Sequence, residues 1–213
     1  MCYGPNIGEE KLITVRIIIS IIIAFSWIFF PAKASAQRVA VKSNLLYDAT
    51  STVNIGAEIA LSRKVTIDIP LNYNPWGFSD NKKMKHFMIQ PEIRLWSCEK
   101  FNGNFWGIHT HYGYYNMGGM LPFGFKDGKF FGIENRTIKK YRFQGYLLGA
   151  GISFGHQWMI TNKWSAEFEV GVGYTYLNYK KYFSQKCGDM ISNESKNYLG
   201  PTKVALSIIY NIK

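Results

Sequence analysis

Charge is scarce in this chain. Of its 213 residues only 18% are charged, below the quarter or so usual in soluble domains. The net charge is +11, yet no run of Lys and Arg is dense enough to track a nucleic-acid backbone, so the basic balance fits anionic lipid head groups better. Cysteine is nearly absent: of the three, Cys2 lies near the start, while Cys98 and Cys187 fall at opposite ends of the strand layout below. A disulfide needs Cα atoms within about 7 Å, so none is expected within the chain. No long apolar run occurs after residue 30, which excludes a spanning helix in that region. The G-x-S-x-G elbow of the α/β-hydrolases is also missing.

The single apolar run is N-terminal. Lys11 and Arg16 precede residues 17–30, which are interrupted only by Ser20 and Ser26. This is too short for a spanning helix but suits a signal-peptide core. Pro31 breaks it, and Ala34-Ser35-Ala36 forms an A-x-A cleavage site. A signal peptide over 1–36 and a single mature domain over 37–213, exported across the inner membrane, are therefore expected.

What the mature chain does have is period two. Val53, Ile55, Ala57, Ile59 and Leu61 alternate with Asn54, Gly56, Glu58 and Ala60, and Val65, Ile67, Ile69, Leu71 and Tyr73 alternate with Thr66, Asp68, Pro70 and Asn72. Strands are predicted at 39–48, 53–61, 65–73, 86–96, 105–116, 141–159, 164–176 and 202–212, with no helix among them. Connections at 62–64, 97–104 and 161–163 are short, whereas 74–85, 117–140 and 178–200 are long, the first outer connection at 49–52 being a short exception. Short turns at one end and long loops at the other are the pattern of an outer-membrane barrel. Trp106, Trp158, Trp164 and Tyr210 fall near the short-turn ends of the apolar face, and Tyr47, Tyr73, Tyr112, Tyr114, Tyr174 and Tyr176 near the other ends, as two interfacial girdles would. The expected fold is thus all-β, an eight-stranded antiparallel up-and-down transmembrane β-barrel. Its rival is a soluble barrel with the apolar face turned inward. Pro70 and Pro91 interrupt predicted strands and call for bulges or shifted ends. Trp96 and His156 fall on the wrong faces.

The inward face collects Lys42, Glu58, Asp68, Glu92, Arg94, Glu167, Glu169 and Lys203. Eight strands leave room only for side chains, and buried charges need partners, so an ion-paired network that plugs the interior is expected. The alternative is a narrow pore or ion path through it. His109, His111, Ser153 and Glu167 lie on adjacent strands and could be drawn together as base, nucleophile and acid in a lipid-modifying enzyme, but alternation points them into the filled interior, where ordinary packing accounts for them, and no enzyme is expected. His109 and His111 lack a third metal ligand, so neither metal nor cofactor is expected. Partner contacts are expected from the long-loop end, where cations stand beside aromatics at Trp76, Phe78, Lys82, Lys83, Phe125, Lys126, Phe130, Lys180, Lys181 and Tyr182. Such surfaces suit outer-membrane lipids, lipopolysaccharide phosphates, a glycan or a surface protein, on a chain that is monomeric and binds no nucleic acid.

The runs Lys42-Ser43-Asn44-Leu45-Leu46-Tyr47-Asp48-Ala49-Thr50, Tyr73-Asn74-Pro75-Trp76 and Gln90-Pro91-Glu92-Ile93-Arg94 resemble the family called domain of unknown function 3575. So do Phe101-Asn102-Gly103, Gly171-Val172-Gly173-Tyr174 and Gly200-Pro201-Thr202-Lys203, which extends the resemblance over nearly the whole mature chain. The resemblance implies a small outer-membrane barrel of Gram-negative bacteria, in some cases encoded near fimbrial components, with no established activity and no catalytic residue to carry over. Relatives often carry a second Cys shortly before the position of Cys187, where Phe183-Ser184-Gln185-Lys186 has none. The expected role is structural, in surface contact, adhesion or appendage assembly.

Overall fold

A computed structural model of the chain describes residues 39–77, 82–119, 128–130, 133–183 and 188–212. The expected leader at 1–36, the loop residues Phe78, Phe125 and Lys126, the side chain of Phe130, and Cys187 lie outside the described residues.

The period-two segments form strands β1 (Val39–Asn44), β2 (Val53–Ala60), β3 (Val65–Asn74), β4 (Lys83–Ile89), β5 (Glu92–Trp96), β6 (Gly103–Gly118), β7 (Lys129–Phe130), β8 (Ile133–Glu134), β9 (Tyr141–Met159), β10 (Trp164–Phe183) and β11 (Met190–Ile212). β7 and β8 form a small hairpin of their own. The others make one antiparallel sheet that closes on itself: β1 pairs with β2 on one side and β11 on the other, and the chain of neighbours runs without a gap through β3, β4 with β5, β6, β9, β10 and β11. Because β4 and β5 occupy one place, the ring has eight strands.

The split between β4 and β5 has a chemical cause. Leu71 pairs with Ile89 and Asp68 with Glu92, a constant register. Between them Pro70 stands across from the Gln90–Pro91 step, and neither proline has an N–H to donate. What remains is used: Gln90 N donates to Pro70 O at 3.2 Å and Thr110 N to Pro91 O at 3.0 Å. The expected irregularity is therefore a pause in the ladder, with no change of register across it. A register shift does occur between β10 and β11, at Gly171/Val172.

Two expectations are corrected. First, Leu45 and Tyr47 leave the ladder for a one-turn helix, α1 (Leu45–Ala49), capped by the Asn44 side chain, which accepts from Leu46 N; a second short helix, α2 (Asn135–Lys140), precedes β9. Second, much of the expected loop at 178–200 is strand. β10 and β11 stay paired from Trp164↔Tyr210 up to Tyr182↔Met190, so Lys180, Lys181 and Tyr182 stand on a projecting β-ribbon.

Short turns close the opposite end. Ser62 Oγ accepts from Val65 N at 3.1 Å and Thr161 Oγ1 accepts from Trp164 N at 3.1 Å, the same hydroxyl device in both hairpins. The outward face is apolar around the ring: Ile108 is 68% exposed, Leu95 57% and Val172 55%. The polar face is the buried one. No helix among the described residues is long and apolar enough to cross a membrane.

Candidate functional site

The interior is layered. At the short-turn end Ala40, Phe101 and Ile209 make a dry plug. Trp96, odd by alternation, belongs there: it is 1% exposed, 4.9 Å from the Phe105 ring, and donates Nε1–H to Thr66 Oγ1 at 2.9 Å. His156, the other anomaly, stays on the outer face beside Trp158, with Asn104 Oδ1 2.5 Å from Nδ1.

The next layer is ionic. Register sets Glu58 opposite Asp68, and Asp68 opposite Glu92. Three carboxylates in one row across three strands would repel one another. Arg94, on β5 with its guanidinium 4.3 Å from the Phe105 ring centroid, reaches back over that row. It lies 2.9 Å from Glu58, 3.1 Å from Asp68, 2.7 Å from Glu92, and 2.7 Å from both Glu167 and Glu169 across the interior. Lys42 lies 2.9 Å from Glu58, 3.2 Å from Asp68 and 3.4 Å from Glu167. Lys203 lies 2.8 Å from Glu92 and 3.0 Å from Glu169. All eight side chains assigned to the inner face from the sequence thus meet in one cluster. Space for it comes from glycine: a Cβ on Gly56 would stand 2.7 Å from Lys42 Cγ, and one on Gly107 2.6 Å from Glu92.

Ser153 serves this layer, while the two histidines bond to threonines. Ser153 Oγ donates to Glu92 Oε2 at 3.1 Å. His109 Nε2 lies 2.9 Å from Thr202 Oγ1, and His111 Nε2 2.8 Å from Thr175 Oγ1. The serine hydroxyl is therefore bonded to a carboxylate and to neither imidazole. No group of three or more metal-ligating side chains occurs among the described residues.

Above the ionic layer the interior is hollow. A cavity of about 720 Å³ is floored by Lys42, Asp68, Glu167, Glu169 and Lys203 and roofed by Tyr115, Ile138, Phe143, Leu147 and Leu177, members of one apolar cluster. An interior filled throughout was expected from the strand number, so the hollow corrects that expectation. The signal for it lay in Leu147 and Leu177, apolar residues at inward positions: Leu147 on the predicted strand at 141–159, Leu177 one residue past the predicted strand at 164–176.

The wall beside the cavity is unusual on one side. β1 stops at the pair Asn44↔Ser207, and its pairing with β2 stops at Lys42↔Gly56. Past those pairs α1 replaces a strand between β2 and β11. Asn44 stitches the seam: its Oδ1 accepts from Leu206 N at 3.2 Å and its Nδ2 donates to Val204 O at 3.4 Å. Leu46, Tyr47 and Ala49 line the cavity from this helix.

Of the expected surface contacts, several are already engaged. Trp76 Nε1 donates to Ser51 O at 2.7 Å. Lys181 Nζ sits 4.1 Å above the Tyr141 ring, and Arg142 4.6 Å above that of Tyr182. Lys83 pairs opposite Gly118 on β6, and Lys82 immediately precedes β4. On the projecting ribbon, Ser192 donates to Glu194 at 2.6 Å and so holds that carboxyl below its usual range. Cys98 is an exposed free thiol in the short turn after β5.

Comparison with known proteins adds one match. No curated protein and no solved structure matches the chain. The family model described as protein of unknown function (DUF3575) matches residues 19–212. With strands, inner charges and seam all inside that span, the chain belongs to the DUF3575 family.

Proposed function

We propose that the chain is an outer-membrane protein, exported by a cleaved leader over 1–36, whose ring of strands is a transmembrane β-barrel with a structural and surface-contact role. The observation that carries this reading is the inverted distribution of polarity. Large aliphatic side chains face out around the whole ring while charged ones are buried inside it, the reverse of a soluble domain. On β10 the outward apolar positions run from Trp164 to Tyr176. Twelve steps of about 3.3 Å, tilted by about 40°, give a belt roughly 30 Å tall, which suits a hydrocarbon core. Aromatic residues bound it: Trp106, Trp158 and Trp164 below, Tyr73, Tyr112, Tyr114 and Tyr174 above, all exposed.

The surface role, adhesion or support of an appendage, rests on the ribbon of β10 and β11 that stands beyond the belt with Lys180, Lys181 and Tyr182. Outer-membrane lipid and lipopolysaccharide are the immediate partners in this reading, with a glycan or surface protein beyond them. Against a pore stands the packing of the ionic layer and the dry plug beneath it. Against a hydrolase that uses Ser153 stands the Ser153–Glu92 hydrogen bond, which engages that hydroxyl with a carboxylate instead of a histidine.

Mature protein refolded in detergent tests the reading. A closed membrane barrel shifts mobility between unboiled and boiled gel samples and gives β-type circular dichroism. A chain that folds and stays soluble without detergent would overturn it. Stable single-channel conductance would instead move the assignment to the pore.

A further inference from the structure

The cavity has an unbalanced floor. Three cations, Lys42, Arg94 and Lys203, face five carboxylates, Glu58, Asp68, Glu92, Glu167 and Glu169. The formal excess is two negative charges in a water-poor layer. Asp68 lines the cavity, is 1% exposed, and its Oδ1 has no hydrogen-bond partner among the described residues. Its other oxygen, Oδ2, takes up Lys42 and Arg94. An unsatisfied buried acceptor of this kind costs free energy unless a donor arrives.

Above that acceptor the walls are apolar, formed by Leu147, Leu177, Phe143 and Met88 among others. The volume, about 720 Å³, is within the range of small-molecule sites. The side of the cavity is closed by α1 rather than by a ladder, and Leu45 and Leu46 of that helix are exposed beside Val204 and Leu206 of the outward belt. Leu46 and Val204 both line the cavity and are exposed on the outer face, so the cavity and the apolar surface meet at this helix.

We propose that this cavity binds a single-chain cationic amphiphile, its ammonium donating to Asp68 Oδ1 and its alkyl tail lying among Phe143, Leu147 and Leu177. The inference goes beyond the surface role proposed above and does not need the projecting ribbon. Charge-assisted donation to a buried carboxylate supplies selectivity, and burial of the tail supplies most of the affinity.

Mature protein in neutral zwitterionic nanodiscs is titrated with dodecylamine, and bound molecules are counted by native mass spectrometry. Saturation at one molecule per chain is expected, at least tenfold tighter than for dodecanoate. Asp68→Asn should weaken dodecylamine binding at least tenfold, and Leu147→Trp, which fills the cavity, should abolish it. Non-saturating uptake, equal binding of the two chain charges, or full binding by Leu147→Trp would overturn the site. If Asp68→Asn does not fold, the dodecanoate comparison and Leu147→Trp decide alone. The gel-mobility shift of each variant is read separately, so a failed barrel is not mistaken for a failed ligand.

Discussion

Arg94 Nη1 lies 2.7 Å from Glu167 Oε2, although 73 residues separate the two in sequence. The contact crosses the interior from β5 to β10, strands that are not neighbours in the ring. One guanidinium thereby ties opposite walls together. Removing it leaves five carboxylates to two lysines. Arg94→Met is expected to destabilise the folded ring by about 3–5 kcal/mol, the usual result of breaking a buried pair. Urea titration of refolded protein measures this. Adding Glu167→Gln to Arg94→Met should recover part of the loss, since one stranded charge goes with it.

The outward belt makes a separate prediction. Ile108, Ile152 and Val172 sit side by side on β6, β9 and β10, midway between the two aromatic borders. Ile152→Arg should cost about 2–4 kcal/mol in phosphatidylcholine vesicles, the depth-dependent penalty of a midplane cation. An unchanged unfolding midpoint would mean that this face does not meet lipid.

Space inside the ionic layer is tight enough to test with one methyl group. At Gly107 an added Cβ would meet Glu92 at 2.6 Å and also strike Ser153 Oγ. Gly107→Ala is expected to destabilise by about 1–3 kcal/mol through overpacking, and Ser153→Ala in the same chain should return some of it. The unfolding midpoints of the single and double variants decide this.

Orientation can be read from thiols. Cys98 is exposed in a short turn, and Lys181 stands at the other end of the ring on β10. In a Cys187→Ser background, a membrane-impermeant maleimide should leave Cys98 unlabelled on intact cells and reach it after the outer membrane is opened. With Lys181→Cys, intact cells should label. The reverse pattern would place the short turns outside.

The strands were legible because alternation is local. Val53 to Leu61 states its two faces without reference to any partner, and the eight inner charges follow from the same count. Three features were not legible, each because it depends on closure or on a competing local interaction. Leu45 and Tyr47 keep the alternating pattern yet turn into α1, since Asn44 caps a helix there. The upper parts of β10 and β11 carry polar residues on both faces, so alternation has nothing to register, and only their pairing shows them to be strands. The cavity depends on how far apart the walls stand at one level, which no single strand records. Trp96 looked misplaced for a related reason: its face is polar along β5 and becomes apolar only where the plug begins.

The ionic layer also has a consequence for how the ring is assembled. Sliding one strand past its neighbour by a single residue exchanges its faces, and the apolar pattern forbids that. Sliding it by two residues exchanges nothing: outward stays outward, and the belt is as greasy as before. The belt therefore cannot tell the native ladder from its two-residue neighbours. The charges can, because six different strands contribute to one level, and a slip on any of them carries a charged group into the plug or into the cavity. Lys42, Arg94 and Lys203 thus act as alignment marks, rejecting misthreaded rings that the outward belt would accept.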